Sequence, residues 1–173
     1  MSTPLPEPWL RGPLPGVPAL LQPAAHALVM AREDVIAAVA GLSPDQVWTR
    51  PGGAASVGFH VAHLSGSTDR LLTYARGATL DASQKSALMR EGRLADERPS
   101  IESLAAEWRA TVDRALAQLA ATPEAALTQP RAVGKAQLPS TIGGLLFHAA
   151  EHASRHTGQV VTTARVVRGA DPA

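Results

Sequence analysis

Four long segments of this 173-residue chain repeat apolar residues at the three- and four-residue spacing of an amphipathic helix. The clearest begins after Ser100 and ends at Thr122-Pro123. Its apolar positions are Ile101, Leu104, Ala105, Trp108, Val112, Ala115 and Leu119. The other three segments cover residues 20–40, 57–76 and 140–168. Four helices of this length, joined by polar loops, predict an all-α fold, a four-helix bundle.

Local signals define the ends of these helices. We expect Ser56 and Ser140 to be N-caps of the second and fourth long helices, while Gly77 and Gly169 end them. Short extra helices are predicted after Ser43 and from Asp81 to about Glu91. Residues 127–139 are predicted to be a loop or irregular segment. Three aromatic residues are expected in the core, and these are Trp48, Trp108 and Phe147.

The chain divides into three parts by composition. Residues 1–18 contain six prolines and are predicted to form an extended arm, packed on the body through Trp9 and Leu10. Residues 19–169 form the helical domain, and residues 170–173 are a short C-terminal tail.

Charge and composition exclude several classes of protein. The net charge is +1, from 16 basic and 15 acidic residues, without the clustered basic excess that nucleic-acid or membrane-surface binding requires. No apolar run reaches the length of a membrane span, and no secretory signal is visible, so we expect a cytoplasmic protein. The chain has no cysteine, so a bound metal would depend on His, Asp or Glu ligands.

Five of the six histidines are concentrated on two predicted helices. His60 and His63 lie on the second, and His148, His152 and His156 lie on the fourth. Residues four apart on a helix differ by about 40° in direction and about 6 Å in height, so two such imidazoles can converge on one ion. A third imidazole from the neighbouring helix would leave a coordination position open, as in catalytic zinc sites. The alternative is that each histidine is an ordinary hydrogen-bonded core or surface residue.

Helical geometry ranks these histidines. On the fourth helix the centre of the apolar face lies about 40° from His156, about 80° from His152 and about 120° from His148. His148 is therefore expected to contact a ligand histidine without binding the metal itself, or to lie at the surface. On the second helix the same estimate favours His60 over His63.

His148-Ala-Ala-Glu151-His152 matches the H-x-x-E-H pattern of inverzincin metallopeptidases, in which the glutamate is a general base. The motif is short, and chance matches are expected in a helix rich in histidine. We therefore expect Glu151 to orient a histidine or to be solvated, and not to act as a general base.

Two segments resemble a known family. Ser56-Val-Gly-Phe-His-Val-Ala-His63-Leu is similar to the second-helix signature of the DinB/YfiT-like family, and His148-Ala-Ala-Glu-His152-Ala-Ser-Arg-His156-Thr-Gly-Gln to its last-helix signature. The resemblance implies a four-helix bundle, often a homodimer, with Ni or Zn on three histidines. Matched position by position, these are His63, His152 and His156. On the second helix the match gives His63 whereas the angle estimate favours His60, and we follow the match.

The resemblance also implies a range of functions. Some members of the superfamily are thiol S-transferases that use a low-molecular-weight thiol. The leading hypothesis is therefore a metal-dependent enzyme acting on a small-molecule substrate. The alternatives are a metal-dependent hydrolase, a non-catalytic metal- or small-ligand-binding stress protein, and an interaction module with structural histidines.

Overall fold

A computed structural model describes residues 6–169 of the chain. The predicted C-terminal tail and the first five residues of the predicted arm lie outside the described residues. The helices and strands are α1 Gln22–Val39, α2 Pro44–Trp48, α3 Val57–Ala75, α4 Ala82–Arg90, α5 Leu94–Glu97, α6 Ile101–Ala120, β1 Pro130–Val133, β2 Leu138–Thr141 and α7 Ile142–Gly169.

The four long helices α1, α3, α6 and α7 form the bundle. Helix α3 packs against α6 and α7, and α1 packs against the same two helices. The core between them is filled by apolar side chains removed from solvent, among them Leu28, Leu64, Trp108 and Leu146. The predicted all-α four-helix bundle is confirmed. No helix within residues 6–169 combines the length and the apolar character that a membrane span requires.

Side-chain caps begin most of the helices. The Ser56 hydroxyl accepts a hydrogen bond from the Phe59 amide at 3.2 Å, which fixes the first turn of α3. Ser43 and Asp81 each form a capping box at the start of α2 and α4. The predicted cap at Ser140 is wrong by one residue, because Thr141 accepts the hydrogen bond from the Gly144 amide at 3.0 Å.

Residues 127–139 are not the wholly irregular segment that we predicted. β1 and β2 pair antiparallel, with Pro130 opposite Thr141 and Val133 opposite Leu138. Prolines usually argue against a strand because they cannot donate to a ladder. Here both strands are edges of a two-stranded sheet, so Pro130 and Pro139 can turn their missing donor side away from the partner strand.

The N-terminal segment packs on α1 through residues other than those predicted. Trp9 and Leu10 are 59% and 56% exposed, whereas Pro8 is buried. The Arg11 guanidinium makes two hydrogen bonds to Glu33 on α1, at 2.6 and 2.7 Å. A short 3-10 turn over residues 8–10 presents Pro8 to the body and leaves the two larger side chains outside.

Two of the three predicted core aromatics are buried. Trp108 is fully enclosed and Trp48 is 8% exposed, but Phe147 is 64% exposed. Phe147 follows the core residue Leu146, and the 100° step between helical neighbours turns it outward. Trp48 packs over Gly58, where a Cβ atom would lie 2.8 Å from the indole ring. This close approach seats α2 against the first turns of α3, the helix that carries His60 and His63.

Candidate metal centre

Helices α3 and α7 bring three histidines to one point. The ligand nitrogens of His63, His152 and His156 all lie within 4.8 Å of one another, and each side chain is half-buried. His63 Nε2 is 3.1 Å from His152 Nε2. The rings of His152 and His156 are 4.5 Å apart, as one helical turn on α7 predicts. The histidines of the two helices therefore meet, and their role as metal ligands stays a prediction.

The spacing of these nitrogens fits a divalent ion. Two imidazole nitrogens bound tetrahedrally at about 2.05 Å from one zinc ion are about 3.3 Å apart, close to the separation of His63 and His152. Within residues 6–169, this is the one group of His, Asp or Glu side chains that has such mutual proximity. Three nitrogen donors without a thiolate suit zinc, nickel, copper or iron, so the residues present fit a metal ion.

The imidazoles on α7 are held in the neutral form that a metal needs. Burial, followed by repulsion from His63, lowers the pKa of His152. Burial together with repulsion from His63 and His152 lowers the pKa of His156 to about 4. Both rings therefore keep a lone pair available at neutral pH.

A glutamate outside the predicted set orients His63. Glu91, just after α4, accepts a hydrogen bond from His63 Nδ1 at 2.9 Å and another from Arg70 Nη1 at 2.6 Å. Burial opposes ionisation of Glu91, but the hydrogen bonds from His63 and Arg70 outweigh it and hold the pKa below its ordinary value. The carboxylate therefore fixes the proton of His63 on Nδ1 and leaves Nε2 facing His152.

Sequence reasoning missed Glu91. On α3, Arg70 forms an ion pair with Glu91, while Asp69 accepts a hydrogen bond from Gln84. Arg70 lies seven residues after His63, on the same face of α3. An arginine on the histidine face of this helix calls for an anionic partner, and that was the signal available in the sequence.

His60 lies beside this cluster and is not one of its three members. It is only 7% exposed, and burial, then repulsion from His63, lowers its pKa. Its Nδ1 is 3.2 Å from His156 Nδ1. The angle estimate placed His60 closer to the apolar face than His63, and His60 is indeed the more buried of the two. The histidine that faces His152, however, is His63.

The H-x-x-E-H segment does not direct its glutamate at the cluster. Glu151 pairs with Arg155 and, at 3.2 Å, with His148 Nδ1. The His148 side chain is 49% exposed, as predicted for this position. Glu151 thus belongs to a surface chain of charges along α7, which argues against a general base poised at a metal.

Comparison with known families identifies the family of this helical bundle. A family model described as the DinB superfamily matches residues 27–160, the greater part of the bundle. The chain belongs to the DinB superfamily. No curated protein matches it significantly.

One aromatic ring flanks the cluster of this DinB-superfamily protein. Phe59 stacks on His63 with ring centroids 5.7 Å apart and an angle of 7° between the planes. Between this stacking and the Glu91 hydrogen bond, the His63 ring has little freedom to rotate. The three histidines could hold a metal ion in a preorganised arrangement.

Proposed function

We propose that this protein is a metal-dependent enzyme that binds zinc or nickel through His63, His152 and His156. Its small-molecule substrates include a low-molecular-weight thiol, which it transfers to an electrophile in the manner of a thiol S-transferase. The observation that carries this proposal is the meeting of three half-buried imidazoles from two helices.

The number and exposure of the donors support catalysis over a structural role. Structural zinc sites are closed, with four protein ligands, whereas catalytic sites keep three protein ligands and one open position. Here three donors converge and none is fully buried, so a small molecule has access to them. The bundle also has its own apolar core and does not need an ion to fold.

The residues around the donors have separate tasks in this proposal. The Glu91 carboxylate orients His63, while Phe59 restricts its ring, and burial keeps His152 and His156 neutral. A divalent ion in such a site lowers the pKa of a bound thiol or water and thereby supplies a nucleophile near neutral pH. The thiol is the substrate that the family resemblance favours.

The first experiment measures the metal. Protein purified, stripped with a chelator and reloaded with zinc or nickel should bind one ion per chain. His152→Ala should abolish this binding, whereas His26→Ala, which removes a histidine of α1 that lies outside the cluster, should not. A native protein that takes up no ion, or a His152→Ala variant that still binds it, would refute the metal site.

The second experiment measures thiol transfer. The loaded protein is incubated with a generic aryl halide electrophile and several low-molecular-weight thiols, and the conjugate is quantified. Conjugation that depends on both metal and thiol supports the transferase. Metal-dependent hydrolysis of the electrophile in the absence of any thiol would indicate a hydrolase. Stoichiometric metal binding without turnover of any substrate indicates a binding protein.

The family resemblance further supports a homodimer, and we propose this state for the native protein. Light scattering after size-exclusion chromatography should then give twice the 18.0 kDa of one chain. We also propose residues 19–169 as the folded domain, with residues 1–18 as an arm. Limited proteolysis should release the arm before it cleaves the bundle.

A further inference from the structure

His60 and His156 face each other through the same ring atom. Their Nδ1 atoms are 3.2 Å apart, the ring centroids are 5.3 Å apart, and His60 is buried. His60 lies one turn before His63 on α3, so the contact joins the two helices that carry the cluster. The resemblance to the family assigns no role to His60.

With no ion between them, two facing imidazole nitrogens at this distance are stabilised when they share one proton. If both Nδ1 atoms carried lone pairs, they would repel, and if both carried protons, the hydrogens would collide. Either His60 donates to His156, or His156 donates to His60. A neutral imidazole can have its proton on either nitrogen, so the second contact of each ring decides the direction of this hydrogen bond.

The proposed metal role of His156 selects the direction. A neutral imidazole that binds a metal through Nε2 carries its proton on Nδ1. His156 must then donate from Nδ1, and His60 must accept at Nδ1 while keeping its own proton on Nε2. The opposite direction would place a proton on the Nε2 of His156 and remove it from the donor set.

We propose that His60 is a positioning residue that accepts the Nδ1 hydrogen bond of His156 and so holds Nε2 of His156 available for the metal. This inference rests on the proposed metal site and adds a residue to it. Glu91 accepts a hydrogen bond from Nδ1 of His63, and His60 would accept the corresponding hydrogen bond from His156. The acceptor is a neutral imidazole in place of a carboxylate.

His60 is assigned this role and not that of a fourth ligand because of its position. The three nitrogens of the cluster lie within 4.8 Å of one another, and His60 is not part of that set. Its close contact is with His156 alone among the three, at the Nδ1 side. One His60 nitrogen is therefore engaged with a ligand histidine and is not directed at the centre of the group.

Two substitutions separate hydrogen bonding from packing. His60→Asn places an amide oxygen two bonds from Cβ, where Nδ1 stands in histidine, and so keeps an acceptor. His60→Leu fills similar space without one. His26→Leu is the matched control, because it removes a histidine from α1 outside the cluster. The dissociation constant for Co²⁺ and, by competition, for Zn²⁺ is measured for each, with a thermal melt of the metal-free protein to confirm folding.

We expect His60→Leu to weaken metal binding about 10- to 100-fold, the usual effect of losing a hydrogen bond to a ligand histidine. His60→Asn should recover most of this loss, and His26→Leu should bind as the native protein does. Equal affinity in the native protein and both His60 variants would overturn the inference, as would an Asn variant no better than the Leu variant. A native protein that binds no metal would instead refute the proposed function itself.

The protonation of the ring nitrogens can also be measured on the native protein, so this test does not depend on the folding of a variant. In ¹⁵N-labelled, zinc-loaded protein, long-range ¹H–¹⁵N spectra report which ring nitrogen of each histidine is protonated. We expect a proton on Nδ1 of His156 and on Nε2 of His60. A proton on Nδ1 of His60, or a zinc-bound nitrogen in its ring, would overturn the proposed role.

Discussion

Glu91 Oε2 accepts a hydrogen bond from His63 Nδ1 at 2.9 Å, across 28 residues of sequence. Oε1 of Glu91 accepts a hydrogen bond from Arg70. This half-buried carboxylate therefore links His63 to Arg70 on α3 and to the end of α4. We therefore expect Glu91→Gln to weaken zinc binding about 10- to 100-fold, because the hydrogen-bonded charge that orients the ligand is lost. Competition with a chromophoric chelator would measure the change.

The control for that substitution is Glu97→Gln. Glu97 forms an ion pair with Arg90 on the same part of the chain but has no contact with a histidine in the described structure. Its loss should leave zinc affinity as it is. Equal affinities of the Glu91 and Glu97 variants would show that the carboxylate does not support the metal.

Gly66 permits the Arg70–Glu91 ion pair to lie across α3. A Cβ atom at this position would stand 2.6 Å from Glu91 Oε1 and 2.8 Å from Arg70 Nη1. Both atoms end flexible side chains, so Gly66→Ala should displace the pair at small cost to folding and weaken zinc binding several-fold. Alanine is favoured over glycine within a helix by about 0.5–1 kcal/mol, so a loss of affinity would not reflect a weakened helix.

Gly158→Ala is the matched control for Gly66. Gly158 also lies within a long helix, and its added Cβ would meet no atom within 4 Å. This variant should gain up to about 0.5–1 kcal/mol of unfolding free energy without a change in zinc affinity. Chemical denaturation and the chelator competition test both expectations. Gly66→Ala that binds zinc as tightly as Gly158→Ala would contradict the role given to the ion pair.

Glu151 offers a test of the peptidase interpretation. Because its carboxylate pairs with Arg155 and His148 on the surface of α7, Glu151→Gln should leave zinc affinity and any thiol-dependent turnover unchanged. A general base would behave differently, since its substitution should abolish metal-dependent hydrolysis. Loss of turnover with intact zinc binding in the Glu151 variant would therefore support a general-base role for Glu151, as in inverzincin metallopeptidases.

The metal-free protein should lose stability on mild acidification. The pKa values of His60, His152 and His156 lie below the ordinary 6.5, with that of His156 at about 4. Below pH 6.5 the unfolded chain binds more protons at these positions than the folded protein, so acid favours unfolding. Glu33, Glu91 and Glu151, whose pKa values are lowered from 4.5, add to this mainly at more acidic pH.

Thermal melts in chelator at pH 7 and pH 5 would measure this effect. The melting temperature should be lower at pH 5, and the difference should be smaller in His156→Gln, which lacks the most strongly shifted imidazole. A native protein whose melting temperature is equal or higher at pH 5 would disagree with the buried, neutral state of these rings.

The sequence by itself determined the long helices, most of their caps and the pairing of His152 with His156. Those features are local, because apolar periodicity, a capping serine and a four-residue spacing act within a few turns of one helix. It also restricted any metal site to imidazole and carboxylate donors, since the chain has no cysteine.

Helical geometry alone did not decide which histidine of α3 joins that pair, because it favoured His60, whereas the family resemblance implied His63. The tertiary structure brings His63 to the pair. His60 and His63 differ by about 60° around the helix, a rotation that depends on how α3 packs against α6 and α7. Packing likewise brought Glu91 to His63, and pairing between two short edge strands formed the hairpin. These outcomes depend on contacts between segments far apart in sequence, and the sequence of one segment does not specify its distant partner.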